Sequence, residues 1–117
     1  MSVHFTTNAA TALLREFDRR IHQTDATGKI TTWEKSADGN FYTHKAKEWH
    51  AKAWMKPVVQ NDQLVFNIVR PQNANISSLV YAYYHGHLSE TFLNHFDKMF
   101  AWGMSSALPS TGDVVSV

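Results

Sequence analysis

The sequence predicts an α+β fold: a two-layer domain with N- and C-terminal helices packed on one face of a small sheet. That sheet is expected to be about three-stranded and mainly antiparallel, in the order α-β-(short α)-β-β-α. Three observations carry the expectation. Apolar residues recur at helical spacing near both ends of the chain, β-branched and alternating runs fill its middle, and polar turn signals separate those runs. The 117 residues fit one domain, which can bury roughly two-thirds of its unfolded surface. That domain is set at 1–103, with 104–117 as a flexible C-terminal tail.

Ala10, Leu13, Leu14, Phe17 and Ile21 form an apolar stripe, while Arg15, Glu16, Asp18, Arg19 and Arg20 fall mostly on the other side. This spacing predicts a helix over about 8–24. Thr7 or Asn8 offers an N-cap, and Gly28 stops the pattern. Ile30 to Ser36 is rich in β-branched residues and alternates as a strand does, and Ala37-Asp38-Gly39-Asn40 reads as a turn.

Residues 53–59 and 64–70 are extended runs joined by Gln60-Asn61-Asp62-Gln63, the pattern of a β-hairpin. Leu64, Phe66 and Ile68 share one face. Pro57 lacks an N–H, so its strand is expected at an edge or at a bulge. From Leu79 to Trp102, Val80, Tyr84, Leu88, Phe92, Phe96 and Phe100 step by four, which predicts a long helix over about 78–102. A rival reading makes Leu79 to Tyr84 a strand. Gly86 is the weak point of the long helix, costing about 1 kcal/mol against alanine.

Composition narrows the function. Lysine and arginine total 11 against 10 acidic residues, a net charge of +1 with seven histidines neutral. This balance argues against a nucleic-acid binder, whose domain is strongly basic. No cysteine is present, which excludes disulfides, thiolate metal sites and cysteine nucleophiles. The start lacks the basic and apolar regions of a signal peptide, and the longest apolar run is too short to span a bilayer. The expected compartment is the cytoplasm, with no membrane partner. No G-x-S-x-G, G-x-x-x-x-G-K-[ST], H-E-x-x-H or G-x-G-x-x-G motif occurs, so no catalytic residue is assigned.

The densest chemistry lies in Phe41 to Met55, FYTHKAKEWHAKAWM. As a helix, Ala46, Trp49, His50, Ala53 and Trp54 share a face. As a strand, Trp49 and Met55 oppose His50 and Trp54. A short helical turn over 44–50 leading into a strand from 51 reconciles the two. Trp49 and Trp54 suit core anchors, or a surface on which a planar ring stacks.

His85-Gly-His87 resembles a metal doublet only on a strand, where both imidazoles share a face and can reach one zinc at about 2.0–2.1 Å. On a helix the two rings diverge by about 200°. Glu90 follows His87 by one turn. With 4 Trp, 4 Tyr and 7 Phe, some rings should exceed what one small core can hold, and exposed aromatic patches mark interfaces.

The expected function is therefore a non-catalytic binding or assembly module with no cofactor. Its surface would be built from Trp49, His50, Trp54, Tyr84, His85 and His87 and covered by a homodimer partner or another protein. The alternative is a small-ligand or zinc-binding protein, with hydrolytic chemistry, that has a His/Trp-lined pocket and uses His85, His87 and Glu90. The Val115-Ser116-Val117 terminus also fits a strand-adding peptide motif.

Overall fold

In a computed structural model describing residues 1–116, the sheet is larger than the sequence suggested. Val117, and with it the end of the Val115-Ser116-Val117 motif, lies outside the described residues. The elements are β1 (Ser2–Thr6), α1 (Ala10–His22), β2 (Trp33–Lys35), β3 (Tyr42–His44), β4 (Trp54–Val59), β5 (Gln63–Val69), α2 (Ser78–Phe96) and β6 (Gly103–Ser105). They form one six-stranded sheet in the order β2-β3-β4-β5-β1-β6, with every neighbouring pair antiparallel.

This corrects the three-stranded expectation and its α-β-(short α)-β-β-α order. β1 opens the chain and enters the sheet between β5 and β6. In SVHFT the buried Val3 and Phe5 alternate with His4, a period-2 signal only five residues long. β3 and β6 span three residues each, too few for periodicity to register. The short helix expected over 44–50 is absent. Tyr42–His44 is a strand, and residues 46–51 make a turn in which Trp49 and His50 both donate backbone N–H to the Ala46 carbonyl.

Helix α1 is capped by Ala9 without a side-chain bond. The Thr7 hydroxyl accepts from the Ala9 N–H and donates to the Met99 carbonyl, tying the helix entry to the far end of the chain. Helix α2 starts from Ser77, whose hydroxyl accepts from the Val80 N–H, so residues 79–84 are helical. β4 and β5 form the hairpin, with Met55 opposite Ile68 and Pro57 opposite Phe66. β3 pairs with β4 only at Tyr42 and Met55, so Pro57 sits where β4 has parted from that neighbour and its missing N–H costs nothing.

The core fills the space between the sheet and both helices. Phe92 of α2 stacks on Phe5 of β1 at 4.2 Å and packs within 5.0 Å of Phe17 of α1. Phe66 of β5 closes the group edge-on to Phe5 and Phe17. These rings come from four separate elements, so packing couples them all.

Residues 104–117 were expected to trail from the domain. Met104 and Ser105 belong instead to β6, and the chain then turns across the outer face of the sheet. Asp113 Oδ1 accepts from Asn67 Nδ2 at 2.7 Å and from the Ile68 N–H at 3.1 Å. Val114 bonds Ile68 and Arg70 where β5 runs past the start of β1. Burial pushes the Asp113 carboxyl up, but hydrogen bonds from Ser110, Asn67 and Ile68 more than offset it, leaving the pKa below the ordinary range.

Gly112 makes this return possible. Its φ is +97°, and a Cβ there would lie 2.7 Å from Asn67 Oδ1. Gly112→Ala is expected to destabilise the chain by about 1–3 kcal/mol and to speed amide exchange at Ile68 and Val114 first. Unchanged exchange there would mean that the segment is not anchored through Asn67.

Candidate functional site

The concentration of histidines and exposed-edge rings lies where the start of α2 crosses β2 and β3. On α2, Tyr83, His87 and Thr91 follow one another by four and share a face, with Tyr84 and Leu88 beside them. His44 of β3 stands opposite Trp33 of β2 in the sheet register. Its ring lies 4.5 Å from that of His87. The Trp33 indole N–H donates to Thr91 Oγ1 at 3.1 Å, and the Thr91 hydroxyl donates to the His87 carbonyl at 2.8 Å, fixing the helix at this height over the sheet.

The turn over 46–51 is folded back by Thr43. Its hydroxyl accepts from the Ala51 N–H at 3.1 Å and donates to the Ala53 carbonyl at 2.9 Å. Ala51 has φ 57°, the left-handed region that a residue with a Cβ enters only under constraint. The Tyr84 hydroxyl, 3.1 Å from Thr43 Oγ1, donates to the Trp49 carbonyl. Thus held, Trp49 stacks on Tyr83 at 3.8 Å and 6°, and Tyr83 lies over His87 at 5.1 Å and 15°. Trp49, Tyr83 and His87 form one continuous stack.

Hydrogen bonding decides where the imidazole protons sit. The Ala46 backbone N–H donates to His44 Nδ1 at 3.0 Å, so that nitrogen carries the lone pair. In neutral His44 the proton is then on Nε2, which lies 2.7 Å from His87 Nδ1. His87 Nδ1 accepts it, and His87 bears its own proton on Nε2, the nitrogen 3.9 Å from Glu90 Oε2. Burial, and then the neighbouring His87, lowers the His44 pKa to about 4. At neutral pH the relay is uncharged on the His44 side.

The residues singled out from sequence are scattered over several surfaces. Trp49, Tyr84 and His87 belong to this cluster. His50 is exposed, with Nε2 2.5 Å from Glu34 Oε1. Trp54 lies on the opposite face of the sheet beside Phe41, in an open groove of about 500 Å³ with Val69, Arg70 and Gln72. His85 is buried on another side of α2 against Tyr81. The backbones of Met1 and Tyr81 lie near its ring without closing a well-formed hydrogen bond, and burial lowers its pKa.

Because 79–87 is helical, His85 and His87 point apart and the set His85, His87 and Glu90 is not gathered. Among the described residues no three His, Asp or Glu side chains lie close enough to hold a metal ion. Sequence reasoning missed His44, Tyr83 and Trp33 as site members. Tyr83 was recoverable from its four-residue spacing to His87 once the helix was accepted, whereas the His44 contact spans 43 positions and left no local signal.

Among the described residues, no helix is long and apolar enough to cross a membrane. Compared with protein-family models, with curated proteins and with solved structures, the chain matches none.

Proposed function

We propose that this protein is a non-catalytic binding module whose partner is held at the Trp49–Tyr83–His87 stack. The observation that carries this reading is the direction of the imidazole relay. General-base catalysis needs an accessible lone pair on the imidazole. Here the Ala46 N–H orients His44 so that its Nε2 proton occupies the His87 lone pair, and His87 turns an N–H donor outward. A donor beside stacked rings suits recognition of an acceptor group, a carboxylate or carbonyl, carried on a planar or apolar body. The rings supply contact area and the N–H orients the bound group.

The test has two parts. Nitrogen-15 spectroscopy of the imidazoles at pH 7.5 is expected to show the Nε2–H tautomer at both His44 and His87. Titration with aromatic carboxylates and acetylated aromatic amides is then expected to shift Tyr83 and His87 signals, and His87→Ala to abolish the response. An Nδ1–H tautomer at His87 would restore an outward lone pair and favour base chemistry over binding. No shift at Tyr83 with any such compound would remove the stack as a binding surface.

A second reading rests on a separate observation. The groove lined by Asp38, Phe41, Trp54, Val69, Arg70 and Gln72 on the outer face is apolar, with one carboxylate and one guanidinium at its rim. It suits a small apolar ligand with no net charge preference. Shifts confined to Trp54 in the same titration would favour it.

A further inference from the structure

We infer that two copies of this chain pair antiparallel through β6, joining their sheets edge to edge about a two-fold axis at Met104. The hydrogen-bond parity of the edge supports this. Ser106 donates its N–H to the Ser2 carbonyl at 2.9 Å, Thr6 donates to the Trp102 carbonyl at 2.9 Å, and Met104 stands opposite His4. Even-numbered residues of β6 therefore bond to β1, and Gly103 and Ser105 direct their N–H and C=O groups away from the sheet.

These free groups are self-complementary. In an antiparallel pairing centred on Met104, Gly103 of one copy faces Ser105 of the other, and each such pair exchanges both of its N–H···O=C bonds. The two Met104 side chains then meet in the close, non-hydrogen-bonded position on the outer face. Trp102, two residues away on the same face, lies beside them. Trp102 and Met104 are 70% and 50% exposed, an apolar pair along this edge. On the helix side, a Cβ at Gly103 would lie 3.3 Å from the Phe5 ring, inward and away from the open edge.

Charge separates this edge from the other. β2, the opposite edge, carries Glu34 and Lys35, with Glu34 paired to His50; charges of this kind blunt an edge against pairing. From Met99 to Gly112 no residue is charged, so a two-fold contact here sets no like charges against each other. That selects a second copy as the occupant and β6 as the strand. The edge is short, so the contact falls near or below about 1,200 Å² in total, where weak association is the norm.

The experiment uses the full chain. Sedimentation equilibrium at high micromolar concentration is expected to report a mass approaching twice 13.3 kDa. Met104→Lys places two ammonium groups face to face, and Ser105→Pro removes an outward N–H that β1 does not use, while its ring also fixes φ there. Each is expected to weaken the dimer by roughly tenfold or more, while Leu93→Lys on the outer face of α2 leaves it intact. Because the chain has no cysteine, Met104→Cys supplies an independent readout. Cα atoms about 4.5 Å apart across the axis lie within disulfide range, so mild oxidation is expected to link two chains rapidly, and Leu93→Cys to stay unlinked. A wild-type monomer at these concentrations, an unchanged mass for Met104→Lys, or cross-linking through Leu93→Cys instead would each overturn the inference.

Discussion

Phe92→Ala is expected to be the most damaging single substitution in the chain, costing about 3–5 kcal/mol. Phe92 is fully buried and touches the rings of Phe5, Phe17, Phe66, Phe96 and Phe100. Removing it takes away a side chain that joins α2 to α1, β1 and β5 together. Stacked and edge-on aromatic pairs add about 0.5–1.5 kcal/mol each beyond simple burial, so the loss should exceed the transfer of one ring. A domain of this size has about 5–15 kcal/mol of total stability.

Thermal unfolding followed by circular dichroism should then show a fall of about 12–20 °C. The neighbouring Leu93 is more than half exposed, and Leu93→Ala should stay within about 0.5 kcal/mol. Equal costs at 92 and 93 would mean that α2 is rotated by roughly the 100° that separates consecutive helical residues.

Acid is expected to weaken the fold through His44 at higher pH than it does through Asp18 and Asp113. His44 is 1% exposed, and its pKa is lowered to about 4 by burial and then by His87, against about 6.5 in the unfolded chain. Between those values the unfolded chain binds a proton that the folded chain excludes. Stability therefore rises with pH across this window, is complete above about 6.5, and is lost as pH falls toward 4. At about 1.4 kcal/mol per unit, His44 accounts for about 3 kcal/mol.

His85 and His95, both lowered by burial, act in the same direction. Asp18 and Asp113 add a separate loss below about pH 4, because their folded pKa values are depressed and their contribution disappears on protonation. Urea unfolding of the wild type and of His44→Gln between pH 4 and 7 separates the terms. The variant should lose the His44 share of the slope between 6.5 and 4 and keep that of His85 and His95. A slope equal to that of the wild type would show that His44 is not held neutral, and with it the relay to His87 would fail.

The relay also shows why the site was only partly legible. Two residues of the stack, Trp49 and His87, stood out in sequence because they sit in dense aromatic and histidine-rich stretches. Their relation did not. His44 reaches His87 only because β3 pairs with β2 and α2 crosses both, and a strand of three residues leaves no periodic trace. Conversely, Trp54 is close to Trp49 in sequence, yet the turn at Ala51 sends it to the other face of the sheet.

The features legible in the chain are local. The apolar stripes set both helices, the alternation of Leu64, Phe66 and Ile68 set the inward face of β5, and the polar link before it set the hairpin. Each of these is a repeat that one element imposes on its own residues. The tertiary structure alone decided that the sheet has six strands, that β1 lies between β5 and β6, that Asp113 returns to Asn67, and that His44 meets His87. Those outcomes depend on hydrogen bonds and ring contacts between distant segments. Their free energy appears only when the segments are already together, so no short window of the chain records it.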